Sequence, residues 1–379
     1  MKRREVIRNL GLGTAFIGLN QMVGCRLVGT STEHRKSKNW AWATPGKGRS
    51  RDEWKEKLEM AKKCGVDAII PEVYNGKSAF YDTDRFPVEE DILSILIPLC
   101  KSIGLELHTW LWTMPCNAEK IIKEHPDWYV VNGKGDPAWE KPAYVDYYRF
   151  LCPSNEEVQE FIRENVESLA RIVEIDGVHL DYVRLPDVIL APGIQPKYNI
   201  VQDKEYPEYD YCYCKNCRER FKAATGIDPL KDLADPSAND KWRQFRYDIV
   251  TNLVNNKLIP SAKKYRKTIS AAVFPNWQHV RQEWTKWNLD CYMPMLYNSF
   301  YGKDVHWIAD SVRQEVQDLR IPKPVYSGIF VPQLTAPEIT IAFQESLQAG
   351  AEGISLFELG SMDKEKWSAL CAASTGSRF

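Results

Sequence analysis

The sequence predicts a (β/α)8 barrel, and three observations support this prediction. Eight short segments read as strands, helical segments separate them, and each strand-like segment is apolar over nearly its whole length. Strands joined by helices pair in parallel, and parallel strands that are covered on both faces are apolar throughout. Eight such units in about 340 residues are typical of this barrel. An open doubly wound sheet is the alternative, but no glycine-rich GxGxxG sequence follows the first strand.

The strand-like and helical segments alternate along the chain. The strand-like segments cover residues 39–44, 66–74, 105–113, 177–186, 268–276, 290–298, 324–332 and 351–360. The helical segments cover residues 51–65, 89–104, 154–173, about 215–225, 239–264, 279–288, 303–319 and 335–348, and a short one follows at 363–373. An insertion at about 187–240, rich in proline and tyrosine in its first part, interrupts the alternation after the fourth strand.

Local signals mark several helix ends. Gly65 and Gly104 end the first two helices, because glycine readily adopts the left-handed conformation that closes a helix. Ser154 or Asn155 begins the helix ahead of the fourth strand, and Glu157 adds a capping-box pattern. These signals agree with the alternation that predicts the barrel.

Composition and charge exclude some classes of function. The chain has 50 Lys and Arg against 51 Asp and Glu, so no basic excess indicates a nucleic-acid partner. Hydrophobic residues make up 44% of the chain, which is enough for the core of one large domain. The 13 Trp and 18 Tyr are unusually many. Aromatic rings in a cleft stack on the apolar faces of sugar rings, so they indicate a carbohydrate partner.

The N-terminus has the pattern of an export signal. Basic residues open the chain, a weakly apolar glycine-rich stretch follows, and MVGC ends at Cys25. The arginine pair is typical of twin-arginine signals, and MVGC is similar to a lipobox, whose cysteine is lipidated. We expect a signal at 1–25, a polar tether at 26–38 and the barrel at 39–379. The alternative is a cytosolic helix with a basic start.

This leader predicts a protein exported to the periplasm or the cell surface. Lipidation of Cys25 would be its link to a membrane. No later run of about 18 apolar residues exists, so the sequence predicts no transmembrane helix.

Polar and aromatic side chains occupy the predicted C-terminal ends of the strands, where the active site of such a barrel lies. They are, in chain order, Trp42, Glu72, Tyr74, His108, Trp110, Trp112, His179, Asp181, Arg184, Asn276, Trp277, Tyr297, Asn298 and Glu358. We interpret Asp181, Glu72 and Glu358 as candidate catalytic residues and the others as candidate substrate-binding residues. His108, Trp110 and Trp112 alternate along one strand and share a face. The two tryptophans are candidates for stacking on a sugar, with core packing as the alternative for one of them.

Two carboxylates that flank an aromatic cleft suit glycoside hydrolysis. One stabilises or attacks the anomeric carbon, and the other protonates the leaving oxygen. Asp181 is the candidate nucleophile or stabiliser, because His179 and Arg184 can keep its carboxylate ionised. The alternative is a buried Asp–Arg pair that ties loops together. Glu358 or Glu72 is the acid; spacing does not choose between them, although the position of Glu358 at the end of the last strand favours it slightly.

A cysteine cluster indicates a structural metal. Cys212, Cys214 and Cys217 form a C-x-C-x-x-C pattern at a helix start, which suits structural zinc. Cys152, Asp210 or another cysteine would have to supply the fourth ligand. Reduced or partly disulfide-bonded packing is the alternative, and most other cysteines stand alone as small hydrophobic residues. No His and carboxylate cluster has catalytic-metal spacing, so we expect a reaction that needs no cofactor.

Several segments resemble a known family. GVHLDYVRLP (177–186) resembles the DGIHLDYIRYP-type motif of the glycosyl-hydrolase-10-like barrels, a group of predicted bacterial glycosidases. HPDWYVVNGKGD (125–136) resembles a hairpin that those proteins carry after strand three, and LCPSNEEVQEFI (151–162) resembles their L(D/N)P-x-N-P-E-V segment ahead of the fourth strand. YCYCKNCRERF (211–221) resembles a cysteine-rich element of related barrels. The resemblance implies a (β/α)8 barrel that acts on carbohydrate, with Asp181 as nucleophile.

The sequence therefore predicts an exported glycoside hydrolase-like protein with a poly- or oligosaccharide substrate. Related enzymes often place the acid at the end of strand five or six, where this chain carries Asn276 and Asn298. A carbohydrate-binding barrel without turnover is therefore the alternative.

Overall fold

Eight parallel strands form a closed barrel at the centre of the computed structural model, which describes residues 37–376. The strands are β1 (Asn39–Ala43), β2 (Val66–Tyr74), β3 (Glu106–Trp112), β4 (Gly177–Asp181), β5 (Thr268–Val273), β6 (Cys291–Pro294), β7 (Tyr326–Phe330) and β8 (Gly353–Phe357). They pair in the order β6-β5-β4-β3-β2-β1-β8-β7. Two isolated parallel bridges, Tyr292 to Val325 and Met295 to Gly328, close the ring between β6 and β7. The predicted (β/α)8 barrel is confirmed.

The N-terminal predictions fall almost entirely outside this part of the chain. The predicted signal at 1–25 with its lipidation site Cys25 lies outside the described residues, and so does most of the tether at 26–38. Within the tether, the Lys38 ammonium pairs with the Glu106 carboxylate at 2.6 Å, where β3 begins. No helix within residues 37–376 is long and apolar enough to span a bilayer.

Helices cover the outside of the barrel. They are α1 (Arg51–Lys63), α2 (Leu93–Ile103), α3 (Glu119–Glu124), α4 (Glu156–Ala170), α5 (Lys215–Thr225), α6 (Asp240–Leu253), α7 (Ile259–Lys263), α8 (Trp307–Asp318), α9 (Ala336–Gln348) and α10 (Lys364–Gly376). Ser50 with Glu53, and Thr335 with Glu338, form capping boxes that begin α1 and α9. Of the two candidate caps of α4, Asn155 is the one that accepts the first backbone N–H groups.

The connection between β5 and β6 differs from the prediction. The predicted helix at 279–288 is wrong: two short 3-10 turns, Trp277–Val280 and Trp284–Lys286, take its place. Arg281 lies between them with φ 53°, in the left-handed region that a right-handed helix cannot include. Its guanidinium is buried and donates to the Asp210 carboxylate at 3.0 Å, so an ion pair opposes the local helical pattern.

Aromatic side chains fill the interior of the barrel below the mouth. Trp40, Trp42 and Trp110 belong to one buried cluster inside the ring of strands, and a larger cluster lies between strands and helices. The rings of Trp42 and Trp110 meet edge to face, with centroids 5.0 Å apart. This packed layer is the floor of the barrel mouth.

A disulfide joins the ends of the described chain. Cys64, the residue that follows α1, is bonded to Cys371 in α10, across a sequence separation of 307 residues. We expected most cysteines outside the 212–217 cluster to stand alone, and these two are exceptions. Their pairing depends on α1 and α10 being neighbours, which no local pattern in the sequence indicates.

Replacing both cysteines, as Cys64→Ala with Cys371→Ala, should lower the free energy of unfolding by about 2–5 kcal/mol, because a long loop in the unfolded chain is no longer closed. Denaturant unfolding of the oxidised proteins measures this loss. With a reducing agent present, wild type and variant should unfold nearly together. Equal stability under oxidising conditions would contradict the prediction.

Candidate active site

The carboxyl ends of three adjacent strands bring two carboxylates to the mouth of the barrel. Glu72 on β2 pairs in register with Trp110 on β3, and Trp112 on β3 pairs with Asp181 on β4. Glu72 and Asp181 are therefore separated by one strand, or about two strand spacings of roughly 4.8 Å. Both side chains are mostly buried, with 8% and 7% exposure.

A tight turn and two donors position Asp181. Tyr182, the next residue, has φ 50°, in the left-handed region that non-glycine residues seldom adopt. Its backbone N–H donates to Oδ1 of Asp181 at 2.6 Å, and the indole N–H of Trp110 donates to Oδ2 at 3.1 Å. Burial raises the pKa of Asp181 to about 6, although the Tyr182 N–H, the charge of Arg184 and the Trp110 bond each act to lower it.

Glu72 has a higher pKa than Asp181. Burial raises the pKa of Glu72 to about 7, the indole N–H of Trp112 lowers it, and the charge of Asp181 raises it further. The Trp112 bond to Oε2 measures 3.1 Å. Glu72 and Asp181 are thus electrostatically coupled, and burial together with this coupling keeps a proton on the pair up to nearly neutral pH.

Glu358 lies on a different side of the mouth. It follows β8, which stands opposite β4 in the ring of eight strands, whereas β2 lies midway between them. The hydroxyls of Thr44 and Ser361 donate to its carboxylate at 3.3 and 3.2 Å. These contacts hold Glu358 as a hydrogen-bond acceptor at the rim.

Arg184 acts on Asp181 by its charge, as predicted, but the alternative of a direct Asp181–Arg184 pair is wrong. The Arg184 guanidinium instead forms a buried ion pair with Asp187 at 2.9 Å and donates to the Tyr148 hydroxyl at 3.2 Å. The positive charge of Arg184 still lowers the pKa of the Asp181 carboxyl through a longer-range electrostatic interaction. A pair that ties loops together, which the sequence offered as an alternative, does exist, but its acid is Asp187.

The two predicted binding histidines lie in the barrel interior. His179 is fully buried, hydrogen-bonds Ser270 at 2.8 Å and packs edge to face on Trp42. Burial lowers its pKa well below the usual value, so it is neutral and holds no charge toward Asp181. His108 lies near the start of β3, fully buried, and bonds Glu106 at 2.9 Å. Both residues are core residues, which corrects the prediction.

Three further predicted binding residues have structural contacts instead. Tyr74 is buried against Phe86 at 4.2 Å, because an irregularity in the β2–β3 register follows Glu72 and redirects the strand. The Asn298 amide donates to the Lys303 carbonyl at 3.0 Å and closes a turn. Trp42 is 2% exposed and belongs to the floor of the mouth rather than to its surface.

The remaining predicted binding residues differ in exposure. Asn276 accepts a hydrogen bond from the Tyr301 hydroxyl at 2.8 Å, and Trp277 packs edge to face on Tyr247. Both are half-buried beside a cavity of about 230 Å³ between the β5–β6 connection and α8. Tyr297 is close enough to Asp181 for that charge, after burial, to raise the pKa of the phenol.

Tyr147 and Tyr182 form an aromatic wall beside Trp112 that was not predicted from the sequence. Tyr182 and Tyr147 lie with ring centroids 4.8 and 5.5 Å from Trp112, and Tyr147 is 41% exposed. Tyr147 and Tyr148 belong to the tyrosine-rich stretch YVDYYRF (144–150), a composition that could have indicated them. Trp112 and Tyr147 offer flat, accessible rings next to the carboxylate pair.

The predicted cysteine cluster is assembled in the structure. Cys212, Cys214 and Cys217 are joined by Cys152, and all four sulfur atoms lie within 4.8 Å of one another. Of the fourth ligands considered from the sequence, Cys152 is the one present, because Asp210 bonds Arg281 instead.

Comparison with known proteins links this geometry to glycosyl hydrolases. A family model described as hypothetical glycosyl hydrolase 6 matches residues 53–182, which include both Glu72 and Asp181. The chain is 24% identical over 277 residues to the glycosyl hydrolase YngK of Bacillus subtilis, a match that covers 69% of this chain and 47% of YngK. The chain thus spans about half the length of this relative. The narrower glycosyl-hydrolase-10-like assignment stays a prediction.

Solved glycosidase structures share the fold. The glycoside hydrolase domain of PgaB (BpsB) from Bordetella bronchiseptica superposes with a TM-score of 0.65 at 11% identity, covering 88% of this chain and 97% of that domain. The catalytic domain of β-amylase from Paenibacillus polymyxa gives a TM-score of 0.61 at 12% identity, with coverage of 91% and 99%. At such low identity the likeness shows a common barrel fold.

Asp187→Asn should destabilise the protein by about 3–5 kcal/mol, because it leaves the Arg184 guanidinium buried without a countercharge. Asp310→Asn is a matched control: it removes an ion pair with Arg313 in which both side chains are more than half exposed, at 73% and 54%. This control should change the free energy of unfolding by less than about 1 kcal/mol. Equal effects of the two substitutions in denaturant unfolding would contradict the buried pair.

Proposed function

We propose that the protein hydrolyses a glycosidic bond in a poly- or oligosaccharide, with Asp181 and Glu72 as the catalytic pair. Burial raises the pKa of Asp181 to about 6 and that of Glu72 to about 7, and the charge of Asp181 adds to the rise at Glu72; this buried carboxyl pair is the observation on which the proposal rests. Glycoside hydrolysis needs one carboxylate ionised and the other protonated at the same pH. Similarity to glycosyl hydrolases over residues 53–182 supports the same conclusion.

Each carboxyl has a distinct role in this mechanism. Glu72 donates its proton to the glycosidic oxygen as the bond to the anomeric carbon breaks, so the leaving sugar departs as an alcohol. Asp181, ionised, either attacks the anomeric carbon or takes a proton from the attacking water. If Asp181 attacks, water then displaces it from the anomeric carbon and gives a proton back to Glu72. If Asp181 instead activates the water, the hydroxyl goes to the anomeric carbon, the proton goes to Asp181, and Glu72 regains a proton from solvent as Asp181 loses its own. The side chains suffice for this reaction, so we propose that it requires no cofactor.

The rim supplies the contacts that hold the sugar. We propose that Trp112 and Tyr147 stack on the apolar face of a sugar ring, since they are the accessible rings beside Glu72. We assign Glu358 to a sugar hydroxyl rather than to proton donation, because its carboxylate already accepts from the hydroxyls of Thr44 and Ser361.

We also propose that the protein works outside the cytoplasm, with Cys25 as a lipid anchor. The disulfide between Cys64 and Cys371 supports this location, because such bonds persist in oxidising compartments. The basic start of the chain and its MVGC sequence support it as well.

Three single variants distinguish the roles of the carboxylates. Asp181→Asn and Glu72→Gln should each lower kcat/KM on a natural glycan by about 100- to 10,000-fold. Glu72→Gln should keep most activity on an aryl glycoside whose phenol leaves without protonation, whereas Asp181→Asn should not. Glu358→Gln should chiefly raise KM. The measurement is steady-state kinetics on the substrates found by screening a glycan panel.

Other outcomes would redirect the proposal. Glu358 would be the acid if Glu358→Gln is inactive on the natural glycan but active on the aryl glycoside, while Glu72→Gln stays active on the natural glycan. A wild-type protein that binds glycans but cleaves none, with Asp181→Asn binding equally well, would favour a carbohydrate-binding barrel instead.

A further inference from the structure

We propose that Cys152, Cys212, Cys214 and Cys217 bind one zinc ion that anchors the insertion after β4 to the barrel. This site is separate from the catalytic proposal, and its test does not depend on enzymatic activity. The four residues come from two distant parts of the chain: Cys152 precedes α4, Cys212 and Cys214 lead into α5, and Cys217 lies in its first turn. All four are buried.

The spacing of the sulfur atoms fits tetrahedral coordination. The Cys152 sulfur lies 3.7, 3.6 and 3.5 Å from the sulfurs of Cys212, Cys214 and Cys217 respectively. Zinc–sulfur bonds of about 2.3 Å in a regular tetrahedron place the sulfurs about 3.8 Å apart. The remaining sulfur–sulfur distances are within 4.8 Å, so the four thiols surround a space in which one ion can contact all of them after small side-chain shifts.

The kind of ligand selects the metal and its role. Four soft thiolates favour zinc over calcium or magnesium, which take hard oxygen ligands. Four protein ligands also complete the tetrahedron and leave no open position for water or substrate. The site is therefore structural.

The position of Cys214 favours a negatively charged sulfur. Cys214 is the N-cap residue of α5, and its sulfur accepts a hydrogen bond from the backbone N–H of Cys217 at 3.5 Å. The positive end of a helix dipole stabilises negative charge at this position. Zinc-bound thiolates commonly need such outer hydrogen bonds.

The part of the insertion next to the cysteine cluster is connected by contacts to the barrel mouth. The Tyr213 N–H donates to the Val131 carbonyl at 2.7 Å, which joins the insertion to the 129–137 hairpin. Tyr209 stacks flat on Tyr144 at 4.7 Å, and the Tyr144 hydroxyl donates to the backbone carbonyl of Asp187 at 2.8 Å. Asp187 is the ion-pair partner of Arg184. Zinc at the base of the insertion would therefore stabilise the Arg184–Asp187 pair near Asp181.

The first test is metal content in the purified protein. Elemental analysis of wild type should give about one zinc per chain. The zinc content of Cys152→Ser and of Cys214→Ser should each be at least about tenfold lower than that of wild type. Cys100→Ser is the matched control, because it changes a buried free cysteine on α2 and should retain the metal. Chelation should lower the Tm of wild type by about 5 °C or more, and added zinc but not magnesium should restore it.

A second measurement on wild type keeps the proposal testable if the variants do not fold. Cobalt substitution should produce the sulfur-to-cobalt charge-transfer and visible bands of a tetrahedral four-thiolate site. Zinc-free protein with unchanged Tm and no cobalt spectrum would overturn the proposal. A disulfide between any two of the four cysteines, found by mass mapping without reduction, would overturn it equally.

Discussion

The site depends on two indole N–H groups from a single strand. Trp110 and Trp112, two residues apart on β3, donate to Asp181 on one neighbouring strand and to Glu72 on the other. A buried carboxylate without donors costs several kcal/mol, so these bonds allow two acids to stand close together in a mostly closed mouth. Burial then raises both pKa values, and their proximity raises the pKa of Glu72 further. The parallel β2–β3–β4 register aligns the four side chains.

The sequence predicted those features that depend on local periodicity. Alternation of apolar strands with capped helices was sufficient for the barrel, because each signal is contained in about 10–20 residues. Asp181 was located for the same reason: it interrupts an apolar run where the fourth strand ends. The cysteine spacing at 212–217 was also local, and it correctly indicated that these residues meet.

Features that depend on three-dimensional neighbours could not be predicted in this way. Glu72 and Glu358 look alike in sequence, and the structure distinguishes them by their contacts: Trp112 donates to Glu72, whereas Thr44 and Ser361 donate to Glu358. His179 is two residues before Asp181 and points to the same side of β4. It lies one layer deeper in the barrel, where burial keeps it neutral. Asp187 was overlooked as the partner of Arg184 although it lies only three residues further along the chain, because it follows the predicted strand rather than standing at its end.

The central claim is that burial raises the pKa of Glu72, that the Trp112 hydrogen bond opposes this rise, and that the charge of Asp181 adds to it. Carbon-detected NMR titration of glutamate-labelled protein measures it directly, with Glu72→Gln identifying the signal. We predict a pKa of about 7 for Glu72 in wild type. Asp181→Asn should lower it, because a negative charge is removed, and Trp112→Phe should raise it, because the ionised form loses a donor. A Glu72 that titrates at the ordinary value of 4.5, or that responds to neither substitution, would contradict the account.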